Sequence, residues 1–260
     1  MLSLDNNTTA TISLRPVKNS FPGVTVDCLF TGKLGDDDSS LVTVSGCKNG
    51  NETTTVSIAS SLVPDGLLNL QFVNGCSVVP EDNVKRSFED QHDDVLIPPN
   101  DEQNHEYSTK FFGKLPRAVE LRTTIWYDQS LLKKFGGSHS QTKQWLAKVL
   151  EFAKTLFVAP SLNVRINLKK VGVRETKLTL VASGTSIGKV KVSGGKRNQN
   201  NINSFFCHDS YRRDGTIGIA YGGTACNNDG SAVNINEYHI SELDTARVFV
   251  HELGHNVGME

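Results

Sequence analysis

His251 and His255 bracket Glu252 in the run His251-Glu252-Leu253-Gly254-His255, near the end of the chain. A spacing of four residues puts both imidazoles on one face of an α-helix. Two neutral ring nitrogens so placed suit one Zn²⁺, which takes imidazole at ~2.0–2.1 Å. Glu252 lies about a hundred degrees round the helix from His251, so its carboxylate falls beside such a metal rather than on it. There it can take a proton from zinc-activated water and return it to a leaving amine, while the metal polarises the carbonyl under attack. Zn²⁺ is thus the expected cofactor, with His251 and His255 as metal ligands and Glu252 as catalytic base and then acid. The plain structural alternative is a solvent-facing pair of helical histidines with a glutamate between them.

The residues around the motif supply the helix that must position it. Ser241-Glu242-Leu243-Asp244 reads as a capping-box-like start. Leu243, Ala246, Val250, Leu253 and Val257 recur at helical spacing, and Gly258 suits the left-handed conformation that ends a helix. The spacing predicts a helix of ~16 residues. Small Gly254 lets another backbone or a substrate come close.

Further upstream, a second unit starts near residue 115. Strands are expected over 119–127, 162–173 and 217–221, and a helix over 140–158, where Trp145, Leu146, Val149, Leu150, Phe152, Ala153 and Leu156 are helically spaced. Residues 184–203 are polar and Gly-rich, an expected loop or hairpin. The first part of the chain is β-rich, with strands expected over 24–30, 41–45, 53–58 and 67–73 and a hairpin loop over 33–40. Residues 80–108 are polar and acidic, cannot bury much surface and read as a linker. Lys85-Arg86 within it is a dibasic pair open to proteolysis if exposed.

The 260 residues are 37% hydrophobic and 21% charged with net charge −1, which gives no global pull toward nucleic acid or anionic membrane. No apolar run approaches the ~20 residues of a membrane span. Cys28, Cys47, Cys76, Cys207 and Cys226 are widely spaced, and Asn6, Asn7 and Asn51 begin N-glycosylation tripeptides. These features point to a secreted, extracellular protein, although no signal peptide stands at the N-terminus.

The segment from His251 to Glu260 is similar to the metzincin motif H-E-x-x-H-x-x-G-x-x-H. It most resembles the adamalysin (reprolysin) branch, which includes the ADAM, ADAMTS and snake-venom metalloproteinases. Arg117-Ala118-Val119-Glu120-Leu121 resembles the strand opening their catalytic domain. Gly218-Ile219-Ala220-Tyr221-Gly222-Gly223-Thr224-Ala225-Cys226 resembles their edge strand and the cysteine after it. Cys28 to Cys47, with Phe30-Thr31-Gly32-Lys33 between, resembles the start of their propeptide.

The resemblance implies an α/β, metzincin-like catalytic domain: a mixed twisted sheet with long helices, the active-site helix carrying the motif, preceded by a β-rich propeptide-like domain. The implied division is residues 1–80 as propeptide-like, 81–114 as acidic linker and 115–260 as an incomplete peptidase domain. A protein or peptide substrate would pair as a strand with Ile219, Ala220 and Tyr221. The chain's own propeptide would act as inhibitor, Cys76 being the candidate switch thiol that occupies the zinc, or else a structural cysteine. Glu120 and Asp209 match positions that ligate structural Ca²⁺ in some members, or are simply solvated acids.

The family's third histidine would fall one place beyond Glu260, with the Met-turn further on, so both ends read as cut. Glu260 is a candidate substitute ligand, and His208 and His239 are rival third ligands. Cys207 and Cys226 would pair with each other or with cysteines outside the chain. No second long helix is expected between Val173 and Cys207. The functional expectation is a secreted zinc metalloendopeptidase. Its alternatives are a catalytically inactive truncated product serving as an extracellular binding or inhibitory module, and a zinc hydrolase of non-peptide substrates.

Overall fold

A computed structural model describes residues 2–3, 9–18, 21, 24–35, 37–46, 53–73, 77–80, 95–96, 118–162, 164–176, 201–208, 216–227, 230–239 and 241–259. Two compact units result, one from Met1–Asp90 with Ser140–Asn167 and one from Gln91–His139 with Leu168–Glu260. Among the described residues the α-helices are α1 (Gln129–Lys134), α2 (His139–Leu156) and α3 (Glu242–Asn256).

The first unit holds a small pair, β1 (Leu2–Ser3) and β2 (Thr9–Ala10), and an antiparallel sheet. The sheet runs in chain order through β3 (Ile12–Pro16), β4 (Leu29–Leu34), β5 (Asp37–Ser45), β6 (Thr54–Ala59), β7 (Leu67–Val73) and β8 (Ser77–Pro80). Successive hairpins give this order without crossovers. Leu34, Val42, Val56, Ile58 and Val63 form an apolar core. From Ser140 onward α2 belongs to the same unit. The seven residues that marked it as a helix are all buried, and Thr43 Oγ1 of β5 lies 2.7 Å from Thr155 Oγ1 of α2.

Two local expectations are corrected. Residues 24–30 are not one strand: Val24 makes only an isolated bridge to Phe21, Cys28 turns the chain at φ 57°, and β4 starts at Leu29. Residues 33–40 are not a loop, because β4 continues to Leu34 and β5 begins at Asp37. Their polar groups are satisfied within the hairpin. Lys33 Nζ donates to Ser40 O at 2.6 Å, and Ser40 Oγ accepts from the Leu34 N–H at 2.9 Å. A hairpin that bonds its own polar side chains needs no solvent-filled loop.

The second unit contains β9 (Val95–Leu96), β10 (Ala118–Tyr127), β11 (Arg165–Glu175), β12 (Ile202–Cys207), β13 (Gly218–Tyr221) and β14 (Val233–Glu237). They form a mixed sheet in the order β11-β10-β12-β14-β13-β9. β12 runs parallel to β10 and β14, β13 is antiparallel to β14, and β9 is parallel to β13. The unit is α/β, with few helices. Phe205, Cys207, Ile219, Tyr221, Val233 and Ile235 cluster together. Phe206 meets Phe249 of α3 edge to face, with centroids 5.1 Å apart.

In the second unit α1, β9, β12 and β14 had no expectation behind them, β9 falling within the stretch read as linker. Residues 202 and 203, read as the end of a polar loop, begin β12, where Asn203 Oδ1 accepts from Trp126 Nε1 at 3.1 Å. In β14 the alternating Asn234 and Asn236 imitate an exposed edge, yet both are wholly buried. Residues 177–200 lie outside the described residues, so the expected absence of a second long helix falls largely on them.

Candidate active site

Helix α3 is fixed at both ends by local bonds. Ser241 is its N-cap, and its Oγ accepts from the Asp244 N–H at 3.1 Å. At the other end the Met259 N–H reaches Gly254 O and the Gly258 N–H reaches His255 O, both at 2.9 Å. Gly258 sits at φ 85°. Those two bonds with a left-handed glycine make a Schellman cap. Leu243, Ala246 and Leu253 face the core as their spacing requires, while Val250 is only half-buried and Val248 and Phe249 complete the face.

The two histidines converge. His251 Nε2 and His255 Nε2 are 3.0 Å apart, with rings at 89° and centroids 4.5 Å apart. Two nitrogens on one tetrahedral zinc would stand ~3.3 Å apart, so the pair fits the ion with a small adjustment. His255 Nδ1 lies 3.3 Å from Met259 O. A carbonyl only accepts, so Nδ1 carries the proton in that bond and Nε2 is the ring's acceptor, the tautomer that a metal requires. His255 is buried and His251 is exposed.

Glu252 is 2% exposed and packs against the start of β13. A Cβ built on Gly218 would stand 2.1 Å from Glu252 Oε1 and 2.8 Å from its Cδ. The carboxylate therefore occupies the space that a side chain at position 218 would need. Gly223 N–H donates to His255 O and Ala225 N–H to Asn256 O, both at 2.8 Å, tying the turn after β13 to the end of α3.

Among the described residues no third His, Cys, Asp or Glu joins the pair to form a metal-binding group. His208 and His239 therefore do not complete it. The His208 ring packs on Tyr238 at 5.3 Å, and the His239 N–H donates to Thr245 Oγ1 at 3.0 Å. Glu260, Cys76 and Asp209 lie outside the described residues. Glu120 is an exposed residue of β10 whose carboxylate accepts from Arg122 Nε at 2.7 Å, with Lys169 Nζ at 3.6 Å. The Arg122 hydrogen bond, helped by the charges of Lys169 and Arg122, holds that carboxyl below its ordinary range.

Ile219, Ala220 and Tyr221 are buried, and β13 is not the outermost strand. Val95 stands opposite Ala220 and Leu96 opposite Tyr221. The sequence reading expected β13 to be an edge; here its outer side carries β9. Cys28 is disulfide-bonded, and Cys47 lies outside the described residues. Cys207 and Cys226 form no disulfide with each other, which corrects the first of the two pairings expected for them. The buried Cys207 thiol instead faces Asn236 O at 3.8 Å.

Sequence reasoning passed over Gly218 and Asn256 as site residues. Asn256 was legible in principle, because an asparagine on the buried face of a helix needs partners. Gly218 carried no local signal, since its neighbour Glu252 is distant in sequence.

Residues 116–260 match the family model Reprolysin_5, described as metallo-peptidase family M12. This chain belongs to the reprolysin-type M12 metallopeptidases. The snake venom metalloproteinase trimerelysin-2 of Protobothrops flavoviridis is 23% identical over 148 residues, covering 55% of this chain and 73% of that protein. The zinc metalloproteinase/disintegrin of Bitis gabonica is 26% identical over 151 residues, covering 55% of this chain and 45% of that protein. A solved structure, metalloproteinase-II from Bacteroides fragilis, is 13% identical with TM-score 0.38 over 89% of this chain and 72% of that one. A superposition that loose adds nothing to the M12 assignment. By lineage the chain is a zinc metallopeptidase, and its motif, α3 and every strand of the mixed sheet except β9 lie within the matched M12 region.

Proposed function

We propose that the chain is a secreted zinc metalloendopeptidase acting on extracellular proteins or peptides. The observation that carries this reading is the convergence of His251 Nε2 and His255 Nε2 to 3.0 Å, with Glu252 buried beside them on the same helix. His251 and His255 would hold Zn²⁺. When bound, the ion supplies Lewis acidity to the scissile carbonyl and lowers the pKa of water. Glu252 takes the proton from the attacking water and delivers it to the leaving amine nitrogen. Ile219, Ala220 and Tyr221 orient an extended substrate by strand addition.

Residues 1–80 serve as a propeptide-like domain, 81–114 as linker and 115–260 as the peptidase domain; the family match beginning at residue 116 supports that division. Inhibition by the chain's own propeptide would extend into the linker, whose β9 takes the place on β13 where substrate would pair. Cys76 is the proposed thiol of a switch acting alongside it. A snake venom relative and the Cys28 disulfide support secretion. Calcium is not part of the proposal, since Glu120 is already paired with Arg122 and Lys169.

Zinc stoichiometry and peptide turnover, measured for the chain and for Glu252→Ala, test the reading. One zinc per chain is expected in both, with turnover reduced about 10³-fold by the substitution. Zinc without turnover in the parent chain would favour the second reading, a silent binding or inhibitory module. No bound zinc would sink the peptidase reading and leave the silent module, which needs no metal.

A further inference from the structure

We propose that Asn256 is a positioning residue whose side-chain amide fastens the substrate strand to the metal helix; this rests on the peptidase reading above. Asn256 follows His255 in the last turn of α3 and is wholly buried. Its Nδ2 reaches Tyr221 O at 3.0 Å, Val233 O at 3.1 Å and Thr224 Oγ1 at 3.2 Å. Thr224 Oγ1 in turn donates to Tyr221 O at 3.0 Å. Two amide hydrogens are thus shared among acceptors on β13, β14 and the turn after β13.

The other side of the amide is held as firmly. Asn256 Oδ1 accepts from Asn234 Nδ2 at 2.8 Å, and Asn234 Oδ1 accepts from Asn236 Nδ2 at 2.8 Å. Asn236 Nδ2 also donates to Phe205 O at 3.1 Å. A line of three buried amides therefore runs from the end of α3, across β14, to β12 in the middle of the sheet. Buried polar networks of this kind fix geometry, because each broken bond leaves a desolvated group behind. Neutral amides do so without titrating, and none of the three is a metal ligand.

The backbone bonds from Gly223 to His255 O and from Ala225 to Asn256 O complete the junction. The Tyr221 backbone is then placed relative to His255 by the Asn256 side chain together with the backbone bonds of the turn after β13. Asn256 touches neither metal nor substrate in this scheme. It sets where the substrate strand lies.

Amide-resolved hydrogen exchange on the full chain tests this without requiring turnover. In Asn256→Ala and Asn256→Asp the Gly223 and Ala225 amides should exchange about tenfold faster or more, while α2 and β5 keep their protection. Asn256→Asp keeps shape and acceptor but loses the donors, so it separates donation from packing. Zinc affinity, measured by competition with a chromophoric chelator, should be unchanged. Asn234→Ala removes one partner only and should give a smaller acceleration, which keeps the test available if the Asn256 variants do not fold. Wild-type protection of Gly223 and Ala225 in Asn256→Asp would overturn the proposal. So would equal acceleration throughout the chain, or a parallel loss of zinc affinity. Failure of the parent chain to bind zinc would overturn the peptidase reading instead, and leaves the exchange result as a statement about the junction.

Discussion

Glu252 and Gly218 share one small volume, and on the proposed mechanism that sharing decides how the base is aimed. A methyl group at position 218 would collide with the carboxylate itself and with Val248 Cγ1 at 2.8 Å. Gly218→Ala is therefore expected to displace Glu252 while leaving both histidines in place. On the proposed mechanism kcat should fall about 10²-fold, the scale of a misplacement near 1 Å, with zinc stoichiometry retained. Unchanged turnover in a folded Gly218→Ala chain would show that β13 does not aim the base. The histidine pair shows the same economy of means: one backbone carbonyl, Met259 O, selects the tautomer of His255.

At the scale of elements, α3 owes its limits to its caps. Ser241→Ala removes the hydroxyl that accepts from Asp244 N–H and should cost ~1 kcal/mol. Gly258→Ala forces a Cβ into a left-handed residue at φ 85° and should cost ~1 kcal/mol, read by urea unfolding in each case. The β4–β5 hairpin makes a prediction of pH dependence. Hydroxyl bonds from Ser39 and Ser60, with backbone N–H bonds, hold the Asp37 carboxyl below its ordinary value of 3.8. A carboxyl with a depressed folded-state pKa contributes stability above the unfolded value and loses it as pH falls through the folded value. Acid titration of the first unit's stability should therefore slope downward below pH 3.8, and Asp37→Asn should flatten that slope. An identical acid profile in the variant would remove Asp37 from the account.

For the whole molecule, the second unit depends on burying α3 against its sheet. Phe249 is wholly buried and meets Phe206 edge to face, so Phe249→Ala should destabilise by ~3–5 kcal/mol. The same unit covers the outer side of β13 with β9. Proline at both Val95 and Leu96 removes two backbone donors and should weaken that strand. If β9 blocks the edge, the doubly substituted chain will bind a fluorescent extended peptide more tightly than the parent. Equal binding by the two would count against the chain's own segment as inhibitor.

What the sequence determined by itself was local. Capping residues, helical spacing and the four-residue histidine interval fix α3 and the convergence of its imidazoles, because each depends on neighbours within a few turns. The alternation in residues 162–173 likewise gives β11, and the spacing in 140–158 gives α2. Composition misled where polar groups were satisfied inside the fold: Asn234 and Asn236, bonded to Asn256 and Phe205, hid β14, and Lys33 with Ser40, bonded within the β4–β5 hairpin, made its turn read longer than it is. Only the tertiary structure decided that α2 packs in the unit of β3–β8, that Gly218 must stay bare for Glu252, and that Val95 and Leu96 cover β13. Each of these is a meeting of segments tens of residues apart or more, set by shape and hydrogen bonding once the chain has folded, and no periodicity along the chain encodes it.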